Sequence, residues 1–299
     1  MQFKHRSYWT HSLTHSILLL LLLLPHYRLN SQSIISLLGA LVVAGVKLDS
    51  ALGTAMNVLA EVRSFIRHPS KIVPICDLVE QKLNLLLPTN AHEICTDRLG
   101  VSVTRLWPFE NSFVSKFKSR NDLIDAVCAG CFIPMWSGAL IGPKFRGKLH
   151  LDGAYTNNVP KFEPEPGVTQ VALCPFAGEL EVSPKDEQNW GEMYVFGSKF
   201  IFNWNNVIRS THAMFPMRLH TYKAYLIDGH SNMKDYVLTN NMIKCESCHL
   251  VSKSAKCKND ATSCPSGGRK LGCIACLRLL ERVDSLRPPE NLLQMFEDK

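Results

Sequence analysis

The chain has 299 residues, of which 46% are hydrophobic and 20% are charged, a composition typical of one sizeable globular domain with an extension. Its formal net charge of +7 and its pI near 8.8 are modestly basic. No dense run of Lys and Arg is interleaved with aromatic residues, so the sequence argues against nucleic-acid binding. Attraction to an anionic lipid surface, or ordinary solvated charge, explains the basic excess more simply.

Residues 1–33 form an atypical N-terminal segment with a short leucine run. Ile17 and the seven leucines that follow it to Leu24 are closed by Pro25. These apolar residues are far fewer than the roughly 20 that a membrane-spanning helix needs. Basic residues before a short apolar core favour a secretory signal or a membrane-surface segment. An alternative first exon or a gene-model error would instead make this stretch a replacement for the true start of the protein, and a plain buried element is a third interpretation.

Helices and strands alternate along the middle of the chain. Helices are predicted at 34–46, 50–66 and 76–87, and after Ser119, which forms a capping box with Asp122. The helix at 50–66 is expected to begin near Asp49 or Ser50. Strands are predicted at about 101–105, 112–117, 148–152 and 169–174, with another at 196–202. The first helix is apolar on all sides, so we expect it in the core of an α/β fold.

The stretch from Leu149 to Pro160 carries the strongest candidate site. A short apolar strand ends at Asp152 and is followed by Gly153 and Ala154. A carboxylate held by a rigid strand can act as a general base, although Asp-Gly alone is most often only a turn. His150 would share a strand face with Asp152, either as a supporting group or as an ordinarily packed side chain.

Three motifs around this turn resemble those of the patatin-like lipid acyl hydrolases, and most strongly those of the adipose-triglyceride-lipase group. They read RLGVSVTR from Arg98, FKSRNDLIDAVCAGCFIPMWSG from Phe117 and RGKLHLDGAYTNNVP from Arg146. The resemblance runs from about residue 39 to about residue 176. It implies a three-layer α/β/α sandwich truncated at its N-terminus. We therefore expect three parts, namely the N-terminal segment 1–33, a partial patatin-like domain at 34–178 and a Cys-rich C-terminal extension at 179–299.

The resemblance implies that Asp152, in its Asp-Gly-Ala motif, is the general base of a Ser–Asp dyad that needs no cofactor. In that family the Asp pairs with a serine in a Gly-x-Ser-x-Gly elbow. No serine of this chain has glycine both two residues before and two residues after it. Aligning Gly39–Gly45 on the helix after the elbow puts the nucleophile position at Leu37, one residue from Ser36, and the Gly-rich oxyanion loop is absent. The sequence therefore predicts no nucleophile.

The activity implied by the resemblance is hydrolysis of a lipid acyl ester, of the triacylglycerol lipase type. The substrate would be a neutral lipid or a phospholipid at a lipid droplet or membrane surface, in the cytoplasm unless residues 1–25 act as a secretory signal. The missing serine supports alternatives: a catalytically inactive lipid-surface or regulatory protein, an incomplete gene model, or an unstable fragment that lacks central strands. No nucleotide or redox cofactor motif is visible, and no protein activator is indicated.

Six of the eleven cysteines crowd the C-terminal extension. Two Cys-x-x-Cys pairs, Cys245 with Cys248 and Cys273 with Cys276, are separated by 24 residues. This spacing is slightly longer than that of typical four-cysteine zinc sites and makes the four thiolates candidate ligands of a structural zinc. Disulfides, if the protein is secreted, and unligated reduced thiols are the alternatives.

Overall fold

The described part of the chain folds as a mixed α/β structure. A computed structural model describes residues 29–31, 34–67, 75–134, 137, 139–157, 159–160, 163, 171, 173–195, 198–215 and 219–240. One sheet contains β1 (Leu29–Ser31), β2 (Leu99–Arg105), β3 (Glu110–Val114), β4 (Lys144–Phe145) and β5 (Lys148–Asp152). A separate hairpin contains β6 (Glu192–Val195) and β7 (Ser198–Ile201). The helices are α1 (Ile34–Val43), α2 (Leu48–Arg67), α3 (Ile75–Leu86), α4 (Ala91–Cys95), α5 (Arg120–Gly130), α6 (Trp204–Met214) and α7 (Leu219–Thr239).

β2 is the strand to which most of the sheet is attached. It pairs in parallel with β1 and antiparallel with β3 and β5, and β4 extends the sheet by pairing antiparallel with β5. The first six residues of β2 are buried. Such a strand reads as a continuous apolar and small-residue run because both of its faces are covered.

The main core joins the helices α1 to α5 to one face of β2. Val101 and Val103 share a single apolar cluster with residues of these five helices, and α1 is buried from Ser36 to Ala44. The prediction that the first apolar stretch is a core helix is therefore confirmed. No helix among the described residues is both long and apolar enough to cross a membrane.

The element boundaries agree with the sequence pattern where local signals are strong. The Ser119 side chain caps α5 by accepting a hydrogen bond from the Asp122 N–H (3.1 Å), while Asp122 accepts one from Lys118 N–H (2.9 Å). The predicted capping is thus confirmed, with the return bond displaced by one residue. The helix α2 begins at Leu48, one residue before the predicted start, and Asp49 lies in its first turn.

The predicted strands match with two corrections. The strand at 148–152 is confirmed, whereas the strand predicted at 112–117 is observed as Glu110–Val114, because its hairpin with β2 closes at Arg105 and Glu110. Of the strand predicted at 169–174, the described residues show only an isolated bridge between Leu173 and Val182. The rest of that stretch lies outside the described residues. The strand predicted at 196–202 is observed as β7 (Ser198–Ile201), with residues 196 and 197 outside the described residues, and β1, β4 and β6 were not predicted.

A second apolar cluster links α2 to α7. It consists of Leu52, Met56, Tyr222, Tyr225 and Leu226. On α6, the helix before α7, the buried Arg209 forms a bidentate ion pair with Asp186 at 2.6 and 2.7 Å. The described residues establish a mixed helix and sheet fold, and the three-layer sandwich and the Cys-rich extension stay predictions.

Candidate functional site

The C-terminal ends of β1 and β5 point toward each other along one edge of β2. Val101 pairs with both β1 and β3, and residues 103–105 pair with both β3 and β5. A residue in a sheet has only two edges, so β1 and β5 must share the edge opposite β3. β1 ends opposite Val101 and β5 ends opposite Val103, which leaves Ser102 between the two strand ends. The connection from β1 to α1 and the turn after Asp152 therefore leave the sheet at the same point.

Asp152 is held rigidly at this point. Its side chain is 1% exposed, and its Oδ1 accepts a hydrogen bond from the Ala154 N–H at 2.9 Å. Its backbone N–H donates to Phe132 O (2.8 Å), and its carbonyl oxygen accepts from the Thr104 hydroxyl (2.8 Å). Bonds to both backbone groups and to the carboxylate fix the orientation of the acid, which a general base requires.

A chain of side-chain hydrogen bonds supports the turn from the other face of β2. The Thr104 hydroxyl has one hydrogen, and this hydrogen is donated to Asp152 O. In the 2.7 Å contact between Thr104 and Thr156, the Thr156 hydroxyl must therefore donate. Asn111 Nδ2 then donates its two hydrogens to Thr156 Oγ1 (3.1 Å) and Ser102 Oγ (2.9 Å). All hydrogen bonds in this series therefore donate in one direction, from Asn111 through Thr156 and Thr104 to Asp152.

Sequence reasoning missed this chain of hydrogen bonds. The signal was present, because Ser102 and Thr104 are the polar members of the alternating stretch LGVSVTR and both are fully buried. A buried hydroxyl on an alternate strand position needs a partner, so each predicts a polar neighbour. Which neighbour it would be was not readable, since Asn111 and Thr156 come from β3 and from the turn after β5.

Gly153 follows Asp152 because no larger residue fits there. A Cβ at this position would lie 2.5 Å from the carbonyl carbon of Ser102 and still closer to its oxygen. Gly142 is similar, since its Cβ would lie 2.9 Å from the carbonyl carbon of His150 and closer to the oxygen. The Asp-Gly pair is thus required by the close approach of the turn to β2, in addition to any role of the carboxylate.

The carboxylate influences the acidic groups around it. Burial, with the Asp152 charge as the next cause, raises the pKa of the Cys131 thiol and also that of the Tyr155 hydroxyl. Of the two roles considered for His150, a group that supports Asp152 or an ordinarily packed side chain, the structure shows the packed side chain. Its ring lies edge-on to Phe145 with centroids 5.5 Å apart, its Nδ1 is 2.9 Å from Lys148 O, and burial lowers its pKa, so that it is neutral near pH 7.

The nucleophile position inferred from sequence does not coincide with the strand–helix junction. Leu37 lies inside α1 and is fully buried, so the position that the alignment gives to the nucleophile holds a core side chain without a hydroxyl. The junction between β1 and α1 consists of residues 32 and 33, which are Gln32 and Ser33 and lie outside the described residues. Ser36, in the first turn of α1, is fully buried, and its Oγ has no hydrogen-bond partner in the described part of the chain.

The zinc prediction falls outside the structure. Cys245, Cys248, Cys273 and Cys276 all lie outside the described residues. Among the residues that are described, no group of three or more His, Cys, Asp or Glu side chains could hold a metal ion. The cysteines described as free are Cys76, Cys95, Cys128, Cys131 and Cys174. A structural zinc in the C-terminal extension stays a prediction.

An α/β fold that presents an Asp-Gly-Ala turn beside a strand–helix junction is the arrangement expected of a patatin-like protein. Curated relatives agree with this class. The chain is 36% identical over 179 residues to human patatin-like phospholipase domain-containing protein 2. This match covers 58% of the chain and 34% of that relative. It is 35% identical over 147 residues to human 1-acylglycerol-3-phosphate O-acyltransferase PNPLA3, covering 48% of the chain and 29% of the relative.

A third relative extends the match along the chain. Mouse omega-hydroxyceramide transacylase is 30% identical over 216 residues, covering 71% of the chain and 35% of the relative. The chain is therefore homologous to the patatin-like phospholipase domain proteins. It spans about a third of the length of these relatives. No protein-family model matches the chain, and no solved structure matches it.

Proposed function

We propose that the chain carries the Asp-bearing part of a lipid acyl ester hydrolase, with Asp152 as the general base. The observation that supports this most strongly is the head-to-head meeting of β1 and β5 at Ser102. Dyad chemistry needs a hydroxyl on a strand–helix junction and a carboxylate within hydrogen-bond reach of it, and both would leave this sheet at one point. The printed names of the relatives, a transacylase, an acyltransferase and a phospholipase-domain protein, all refer to lipid acyl chemistry.

The chemical step is an acyl transfer in two halves. Asp152 accepts the proton of a serine hydroxyl while the oxygen attacks the ester carbonyl, and backbone N–H groups stabilise the oxyanion. The protonated carboxyl then gives its proton to the departing alcohol as the acyl–oxygen bond breaks. The same carboxylate then takes a proton from water, whose oxygen attacks the acyl carbonyl. The acyl–serine bond breaks, the serine oxygen takes the proton back from Asp152, and the fatty acid is released. The finer proposal is a neutral lipid of the triacylglycerol type, at a lipid droplet or membrane surface in the cytoplasm.

Two exposed aliphatic side chains near the strand that carries Asp152 suit such a substrate. Leu140 is 75% exposed and Ile141 is 64% exposed, immediately before Gly142, which abuts the backbone of His150 on β5. Two adjacent exposed aliphatic side chains close to the Asp152 strand offer contact to an acyl chain rather than to a polar substrate.

Fatty acid release by the full chain tests the proposal. Purified protein is incubated with emulsified triacylglycerol and, separately, with phospholipid vesicles. Release that Asp152→Asn abolishes and Asp77→Asn leaves intact supports Asp152 as the base, since Asp77 is an exposed aspartate on α3. Ser33→Ala and Ser36→Ala identify the hydroxyl. Release that is unchanged by Asp152→Asn contradicts the proposal.

A protein without hydrolytic activity that binds lipid surfaces is the second candidate. The observation in its favour is the junction itself, where Ser31 and Ile35 stand two residues either side of Ser33 in place of the two elbow glycines. Ser36 is fully buried, so substrate cannot reach its hydroxyl without a movement of α1. Wild-type protein that binds lipid but releases no fatty acid from either substrate establishes this candidate.

A further inference from the structure

The tip of the β2–β3 hairpin exposes aromatic side chains that the fold does not use. Four residues, 106–109, join Arg105 to Glu110. Trp107 in this loop is 85% exposed and Phe109 is 58% exposed, on either side of Pro108. Aromatic residues normally bury most of their surface, so two of them together at a hairpin tip indicate a surface that something else covers.

Two exposed lysines lie on the strands beside this tip. The Leu106 N–H donates to Leu149 O (2.9 Å), which ties the loop to β5. Lys148 precedes Leu149 in the chain, and Lys144 on β4 pairs with Leu149 on β5. Both exposed lysines therefore lie near the residue that holds the loop. The remaining charges next to the tip belong to Arg105 and Glu110, which form an ion pair with each other. His150, paired with Arg105, is buried and neutral near pH 7.

We propose that this aromatic tip, Trp107 to Phe109 with Lys144 and Lys148, docks on an anionic phospholipid surface. Trp and Phe partition into the headgroup and acyl boundary of a bilayer, and neighbouring lysines are attracted to anionic headgroups. Apolar side chains combined with two lysines that have no ion-pair partner among the described residues fit this occupant better than a protein groove. The surface does not depend on whether Asp152 supports hydrolysis.

Another exposed aromatic surface among the described residues has a different charge environment. Trp190 (58% exposed) packs edge-on to Phe202 with centroids 6.0 Å apart, near the β6–β7 hairpin. Lys199 on that hairpin is neutralised by Glu179 and Glu192 at 2.7 and 2.8 Å. Trp190 therefore serves as a matched control for Trp107, being an exposed tryptophan near a lysine that is already paired.

Docking at the aromatic tip also positions the Asp152 turn near the lipid. Trp107 lies four residues beyond Val103, which pairs with Asp152. Four residues of extended strand span roughly 13 Å. A protein held at its Trp107 tip thus keeps the candidate base within about that distance of the interface, measured along β2.

Vesicle binding by the full chain tests this inference. Protein is floated with phosphatidylcholine vesicles that contain or lack phosphatidylserine, and the bound fraction is measured. We expect the double variant Trp107→Ala, Phe109→Ala to bind at least about tenfold more weakly. Lys144→Ala with Lys148→Ala should weaken binding to the anionic vesicles by about tenfold or more and leave binding to phosphatidylcholine alone unchanged. Trp190→Ala should bind like the wild type.

Fluorescence gives a second readout and guards against misfolding. The blue shift that vesicles induce should disappear in Trp107→Phe and persist in Trp190→Phe, with unchanged unfolding midpoints. Unaltered binding of the aromatic double variant overturns the proposal, as does a Trp107 already shielded without vesicles, which would mean that a second copy or another segment covers it. Asp152→Asn should bind normally, so loss of hydrolysis with intact binding contradicts only the proposed catalytic function.

Discussion

Gly153→Ala is the substitution whose effect follows most directly from the geometry. The new Cβ would lie 2.5 Å from the carbonyl carbon of Ser102, about 1 Å short of an ordinary carbon–carbon contact. The obstacle is the backbone of β2, which cannot rotate away as a side chain can. The end of β5 must therefore move, and the pairing of Asp152 with Val103 weakens. Overpacking of this kind costs about 1–3 kcal/mol, and we expect the upper part of that range.

Urea unfolding followed by circular dichroism measures the loss of stability. Gly147→Ala is the matched control, because Gly147 has φ +77° but no atom within 4 Å of the new Cβ. Its cost is conformational only, about 1 kcal/mol. If Gly153→Ala is as stable as the wild type, or no less stable than Gly147→Ala, the close approach of the Asp152 turn to β2 is not present in the folded protein.

Further predictions concern buried polar groups. Ser36→Ala should stabilise the protein by about 1 kcal/mol, because it removes a buried hydroxyl that has no partner in the described residues; a destabilised variant would show that the hydroxyl is bonded. Burial lowers the pKa of His150, so the unfolded chain gains a proton first as the pH falls below about 6.5, and stability should decline there in urea titrations, less so in His150→Gln. Burial raises the pKa of the Cys76 and Cys95 thiols to about 12, so mass spectrometry after alkylation near pH 8 should find both unmodified until urea is added. Asp186→Asn should cost about 3–5 kcal/mol in thermal unfolding, since it leaves the buried Arg209 without its carboxylate, and a cost under about 1 kcal/mol would contradict the buried pair.

The elements that sequence predicted well are those with a strong local signal. The helix α1 follows from its continuous apolar run, α2 from apolar periodicity, α3 from Pro88 after its end and α5 from Ser119, and β5 follows from the apolar residues before the Asp-Gly turn. Each of these signals acts within a few residues of the element it specifies.

What sequence reasoning could not supply is pairing over long distance. β1 is only three residues, Leu-Asn-Ser, with no alternation of its own, and becomes a strand because β2 offers it a free edge. The alignment that puts the nucleophile position at Leu37 stays a prediction. Asp152 itself was readable, but its support by Asn111 through Thr156 needed the fold.

The shared edge of β2 makes the length of this strand a constraint on two separate parts of the chain. β1 and β5 have no ladder with each other, so their spacing is set only by the residues of β2 between Val101 and Val103. A one-residue insertion or deletion there would shift one partner against the other and reverse the facing of every side chain of that partner. The one-residue interval on β2 therefore fixes how far the end of β1 stands from Asp152.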